Sequence, residues 1–291
     1  CAATCARKPK NYSSATMADY YYLIASLPEL SLNEPPSQDR LEEALQLIQR
    51  QLSPPDQEAF RWFLYRNDVY NLIEFWQDQQ NELPPRPLRY PHSVPVDDFP
   101  RLSREAELLP AFLQPFMEAN ANEAPHWPAT VIENRLHGYF FEALDQAPHP
   151  FLRAYFSFED ELRAIIATYH QAEYDFIDSE PLFLSKNLRQ SVRKGQAGLT
   201  ENLRLNLPFL PELLRTLAEK DVAAISTQVH KILWGQAEEL SRGHYFDLTV
   251  LLAYAARLML LFRRKHLDSN RRADHLEHLI QFAINPQNSA T

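Results

Sequence analysis

LTVLLAYAARLMLLF, residues 248–262, is the stretch that decides the fold of this chain. Its fifteen residues are fewer than the about 20 that a membrane-spanning helix needs, and Arg257 carries a charge that is costly in hydrocarbon. The stretch has no polar stripe, and a helix that is apolar on all sides lies buried among other elements. The sequence therefore predicts an all-α multi-helix bundle built around this helix, with no transmembrane segment.

Further helices are predicted along the chain before the central one. In residues 151–176 the apolar residues recur at spacings of three and four, which places them on one face of a long helix. The segments 208–219, 222–240 and 246–267 also have helical length. Strict alternation of polar and apolar residues is rare, and no glycine turn joins two β-branched runs. The pattern therefore favours helices throughout.

Prolines divide the first half of the chain into shorter segments. Seventeen of the 22 prolines lie within residues 28–150, where each one removes an amide donor and restricts φ. Ser53 is predicted to cap a helix through its hydroxyl, Ser103 to cap a helix that runs past Phe112, and Pro128 to open another. The proline-rich stretch 81–100 is predicted to form an ordered surface loop.

The start of the chain raises separate expectations. The run 20–27 fits either a short strand or a first helix. Residues 1–16 carry basic side chains but no apolar core of a secretory signal, and they are predicted to be a disordered leader. Residues 17–291 are predicted to form a single helical domain, with a proline-rich first half (17–150) and a long-helix second half (151–285). Both cysteines lie in the leader, so a cytoplasmic location is expected.

Charge and motifs exclude several functions. The net charge of -9 does not suit nucleic acid, whose binding rests on phosphate neutralisation. Glycine-rich phosphate loops and a nucleophile elbow are absent from the sequence, and KGQAG at 194–198 is predicted to be a helix end followed by a loop. The adjacent carboxylates 159–161 point around their helix and are predicted to face solvent. We therefore expect no catalytic residue, no cofactor and no metal site.

Three short stretches carry a resemblance to a known family. RNDVYNLI at 66–73 contains an acid-x-x-Asn-Leu element. Aromatic and acidic residues followed by "LR" occur at 151–163, and a third version at 245–264 leads from Tyr-Phe-Asp through an apolar run to two arginines. This pattern resembles the central-stalk d subunit of archaeal-type and V-type rotary ATPases. The opening YYYLIASLPEL and the EPP that follows it are similar to a shorter, functionally unassigned bacterial family whose members accompany the components of V-type ATPases.

The resemblance implies a noncatalytic adaptor made of two or three helical sub-bundles around a funnel. Such an adaptor couples the central rotor stalk to the membrane rotor ring and is peripheral to the inner membrane. The partners implied are the central-stalk and membrane-ring subunits of a V-type ATPase. The candidate interface or motif residues are Tyr20, Tyr21, Tyr22, Asp68, Asn71, Glu159, Arg163, Arg257, Arg263 and Arg264.

Two other functions and two interpretations of a basic run remain open. The chain could instead be an all-α enzyme acting on a small or isoprenoid substrate, or a general helical scaffold. The run 263–266 is predicted to end the central helix, where the helix dipole favours positive charge. The same run could also face an acidic partner or lipid headgroups.

Overall fold

The chain is built from α-helices. The computed structural model describes residues 20–82, 86–102, 105–120, 123, 126–174 and 186–284, with the backbone alone from residue 267 onward. Within these residues there are eleven α-helices and no strand, which confirms the all-α prediction. The helices are α1 (Tyr21–Ser26), α2 (Gln38–Gln51), α3 (Pro54–Gln80), α4 (Gln114–Asn120), α5 (Ala129–Ala143), α6 (Pro150–Tyr174), α7 (Lys186–Arg193), α8 (Glu201–Asn206), α9 (Leu210–Ala218), α10 (Val222–Leu240) and α11 (Leu248–Ile284).

The apolar stretch that opens α11 lies at the centre of the bundle, as predicted. Residues 251–262 are buried apart from Arg257, and α11 contacts α2, α3, α6 and α10. The helix continues to Ile284, so the prediction that the basic run 263–266 ends it was wrong. The charged run faces partly away from the core, and the backbone hydrogen-bond ladder passes through it without a break. The helix dipole therefore does not explain its position.

The beginning of α3 holds the first helix in place. Pro54 and Pro55 occupy its first turn, as predicted, because proline lacks the amide that would have no partner there. The Ser53 hydroxyl does not cap the helix amides; it donates to the Asp56 carboxylate at 2.7 Å. The Tyr20 hydroxyl donates to the same carboxylate. The opening run therefore forms the short helix α1 and is tied to the start of α3.

Prolines shape the segments between α3 and α5. Pro128 opens α5 as predicted. The helix expected to run past Phe112 is wrong: a 3-10 turn, Ala106–Leu108, ends at Leu109, whose ψ of 156° is extended. Pro110 accounts for this break because the residue before a proline is disfavoured in the helical conformation. Ser103, the expected cap, lies outside the described residues.

One hydrophobic core joins the two halves of the chain. Buried side chains from α1–α5 pack in the same cluster as those from α6, α7, α9, α10 and α11. The long loop after α3 packs against the helices of this core and continues into a 3-10 helix, Val96–Arg101. None of the helices in the described parts of the chain combines the length and apolar character that crossing a membrane requires.

Candidate functional site

The middle of α3 carries polar side chains that are almost fully buried. Arg66, Asn67, Asp68 and Asn71 are at most 6% exposed. Burying such groups is costly unless each one finds a hydrogen-bond partner. Two groups of contacts meet this need: one holds the loop that follows α3, and the other joins α3 to α5, α6 and α11.

Asp68 holds the backbone of the loop. Its Oδ1 accepts from the Ser93 amide at 2.9 Å and from the Val94 amide at 3.2 Å, and its Oδ2 accepts from the Ser93 hydroxyl. Burial raises the pKa of Asp68, and this outweighs the hydrogen bonds, which lower it. The carboxyl therefore serves as a hydrogen-bond acceptor, and burial of its negative charge lowers the stability of the folded chain.

Two amides of α3 hold the same loop. The Asn71 side chain accepts from the Arg89 amide at 2.7 Å and donates to the Arg89 carbonyl at 3.2 Å. The Asn67 side chain donates to the Pro91 carbonyl at 2.7 Å. A paired amide can satisfy both backbone groups of one residue at once. The acid-x-x-Asn element of the sequence thus works as a clamp on residues 89–94.

A second group of polar contacts joins four helices. Arg66 on α3 donates to His137 Nδ1 on α5 at 2.7 Å and to the Glu159 carboxylate on α6 at 3.1 Å. Arg263 on α11 lies 3.6 Å from the same Glu159 oxygen. Burial alone would raise the pKa of Glu159, but Arg66 and Arg263 outweigh it and lower the pKa below its ordinary value. One buried carboxylate is therefore shared by two arginines.

His137 is held neutral in this arrangement. Burial, and after it the charge of Arg66, keeps the pKa of His137 well below its usual range. Since a guanidinium can only donate, Nδ1 accepts and the proton lies on Nε2. Nε2 points toward Glu133, 3.7 Å away, and has no hydrogen-bond partner within the described residues. The ring acts here as a buried acceptor for Arg66.

Tyr70 lies where three arginines meet. The guanidinium carbons of Arg66 and Arg89 are 4.2 and 4.1 Å from the centre of its ring, and that of Arg263 is 5.2 Å away. Its hydroxyl accepts from Arg66 at 2.8 Å. The negative face of an aromatic ring attracts cations. Tyr70 therefore helps three like charges to lie close together.

The space inside this cluster is small. A cavity of about 10 Å³ is lined by residues that include Phe63, Tyr155, Glu159 and Arg263, which is room for roughly one water molecule. Among the residues that the structure describes, no three His, Cys, Asp or Glu side chains come together to hold a metal ion. These contacts can hold the helices in a fixed arrangement, and the cavity among them is too small to bind a metabolite.

A comparison with protein families adds one finding. A family model described as a protein of unknown function (DUF2764) matches residues 17–284. The chain belongs to the DUF2764 family. The match ends where α11 ends, so it includes all the helices that the structure describes. The search of curated proteins and the search of solved structures returned no significant match.

Four predicted site residues of this DUF2764 chain come together in the buried cluster and its clamp. Asp68 and Asn71 bind the loop, while Glu159 and Arg263 bind each other. The prediction that residues 159–161 form a solvent face is wrong for Glu159, which is 6% exposed. The reason is the approach of two arginines from other helices, which makes burial of its charge favourable.

The three opening tyrosines divide between core and surface. Tyr20 is buried, whereas Tyr21 is 47% exposed and Tyr22 is 81% exposed. Tyr21 packs on Phe246 with 4.7 Å between ring centres. The ring of Tyr20 therefore lies in the core with its hydroxyl bonded to Asp56, whereas the ring of Tyr22 is on the surface.

The remaining predicted arginines lie apart from the cluster. Arg163 lies 3.5 Å from Asp160 on its own helix. Arg257 lies 3.6 Å from Glu238 of α10, with the ring of Trp234 5.5 Å away. Arg264 donates to the Leu32 carbonyl and ties α11 to the segment after α1.

Sequence reasoning missed Arg66, Tyr70, Arg89 and His137. A signal for Arg66 was present, because the stretch FRWFLYRNDVYNLIEFW at 60–76 is apolar or aromatic on almost every side of a helix. Polar residues in the middle of such a helix must be buried and bonded. Arg89 lies on a loop and His137 on a distant helix, and local pattern gives neither one a partner.

Proposed function

We propose that this DUF2764 member is a noncatalytic adaptor of a V-type rotary ATPase that couples the central rotor stalk to the membrane rotor ring. One observation carries the proposal. Each buried polar side chain in the middle of α3 binds another element of the same chain, and the cavity among them has the volume of about one water molecule. A body that transmits torque needs elements that do not slide past one another.

The positions of the motif residues support this proposal. Asp68 and Asn71, the best match to the pattern of the central-stalk d subunit, hold the loop 89–94 against α3. Glu159 and Arg263, taken from the second and third stretches, join α6 to α11. In the proposed adaptor these residues maintain the shape that the partners recognise. The funnel and the peripheral attachment to the inner membrane are part of the same proposal.

A binding experiment tests the proposal. The full chain is immobilised and offered purified central-stalk subunits and detergent-solubilised ring subunits of a V-type ATPase from a bacterium that encodes this chain. We expect retention of both, since a coupling has to contact both machines. Binding of the stalk subunits to one another in the same buffer is the control. If neither class is retained while that control succeeds, the proposal fails.

A second measurement distinguishes the adaptor from an unrelated scaffold. Addition of the chain to a stalk-plus-ring mixture should raise the amount of stalk that sediments with the ring. Because coupling requires both contacts at once, a chain that binds one class but never bridges the two would be a scaffold or an accessory factor.

A further inference from the structure

The three arginines around Tyr70 carry one more charge than the two carboxylates that bind them. Arg66, Arg89 and Arg263 approach its ring, and two carboxylates compensate them: Glu74 binds Arg89 at 3.0 Å through Nε, and Glu159 is shared by the other two. His137 does not change the count, because its pKa is too low for it to carry charge at neutral pH. Three guanidinium groups therefore face two carboxylates.

Part of this excess charge reaches solvent. Arg66 is 2% exposed, but the side chains of Arg89 and Arg263 are 20% and 18% exposed. Both lie on one junction, where the loop after α3 packs against α11: the ring of Tyr90 lies 5.2 Å from that of Phe262, and Tyr90 is itself 41% exposed. We name the surface formed by Arg89, Tyr90 and Arg263 the loop–α11 junction.

The neighbours of the junction do not remove the excess. Arg86, on the same loop, pairs with Asp78 at 2.7 Å, so this pair adds no net charge. Arg264 and Lys265 add two positive charges on α11. Burial, and after it the negative charge of Glu42, raises the pKa of Tyr90, so Glu42 adds one negative charge to this region. The junction is thus positive on a chain whose net charge is -9.

We infer that the loop–α11 junction docks an acidic side chain of a protein partner, an Asp or Glu flanked by an apolar residue that packs on Tyr90. Guanidinium groups match a carboxylate in plane and bind it through two hydrogen bonds. Extended polyanions such as nucleic acid or an anionic membrane suit the site less, because the surrounding chain is acidic and repels them. The inference rests on the proposed function and assigns this acidic segment to a stalk or ring subunit.

The affinity of variants for the stalk and ring subunits tests the inference. Arg89→Gln should weaken binding of the partner about tenfold and reduce its salt dependence, because a charge-assisted pair is lost. Arg89→Lys keeps the charge and should weaken binding less. Arg215→Gln is the matched control: it removes an arginine of α9 that also pairs with a glutamate, and it should leave binding unchanged. Circular dichroism melts establish that each variant is folded.

The outcomes separate this inference from the proposed function. If the wild-type chain binds a subunit and Arg89→Gln binds it equally well, the inference fails and the adaptor role stands. If Arg89→Gln unfolds, Arg89→Lys and the salt dependence of the wild type decide, and a salt-independent affinity overturns the inference. Vesicles with 30% phosphatidylserine are the last arm. Binding of the wild type to them in preference to either subunit would assign the junction to lipid and overturn it as well.

Discussion

Replacement of Asp68 distinguishes a structural clamp from a charged contact site. The wild-type carboxylate accepts two backbone amides and one hydroxyl from Ser93 and Val94. Asp68→Ala removes every acceptor, whereas Asp68→Asn keeps an oxygen at the position that receives both amides. Because burial raises the pKa of Asp68, the loss of its charge is not in itself a loss of stability. The two variants should therefore behave differently.

The magnitude follows from the groups left without a partner. An unsatisfied buried donor costs about 1–3 kcal/mol. The Val94 amide is buried, while Ser93 is exposed and can partly rehydrate. We expect Asp68→Ala to lower the free energy of unfolding by about 3 kcal/mol, from roughly one full and two partial losses of this kind. Asp68→Asn should change it by less than about 1 kcal/mol, because the Ser93 hydroxyl can turn to accept from the new amide.

Urea unfolding followed by circular dichroism measures both variants against the wild type at pH 7. Limited proteolysis within residues 86–94 supplies a local readout, and Asp68→Ala should be cut faster there than Asp68→Asn. Equal destabilisation by the two variants would mean that the charge matters and would refute the clamp. So would an Asp68→Ala variant as stable as the wild type.

Three further predictions concern other parts of the fold. Glu159→Ala should destabilise the chain by about 3–5 kcal/mol in urea unfolding, since it leaves buried arginines without their carboxylate, and a cost below 1 kcal/mol would contradict the shared pairing. Burial lowers the pKa of His230 from 6.5 to about 3. Below pH 6.5 only the unfolded state therefore takes up a proton at this histidine, and the free energy of unfolding decreases as the pH is lowered, by about 2 kcal/mol at pH 5. His230→Gln should remove this contribution from the difference in unfolding free energy between pH 7 and pH 5. Gly198→Ala would place a Cβ 2.2 Å from the Ser191 carbonyl oxygen and should lower the melting temperature. Gly235 lies in mid-helix with open space around it, so Gly235→Ala should raise the melting temperature by stabilising the folded chain by about 0.5–1 kcal/mol.

Several features of the fold could be read directly from the sequence. The apolar run 248–262, the spacing in α6 and the prolines before α3 and α5 each act within one helix, and local rules of burial and hydrogen bonding are sufficient for them. The sequence predicts a helix that runs past Phe112, but Pro110 limits this segment to the 3-10 turn Ala106–Leu108.

The candidate site could be predicted only in part. Asp68 and Asn71 stand out as a spaced pair in the sequence, but what they bind is a loop about twenty residues away. The sequence predicts a solvent face for residues 159–161, because contiguous side chains point around a helix. The burial of Glu159 depends on Arg66 and Arg263, which lie far from it in the sequence and on other helices.

The sequence by itself determined that this chain is helical, where most of its long helices lie and which of them is central, because helix formation and amphipathic burial depend on residues within a few turns. Only the tertiary structure decided which polar residues are buried, since a charge enters the core when partners from distant segments meet it there. The excess positive charge around Tyr70 is of this second kind. It arises from three helices and a loop, and no single one of them contains it.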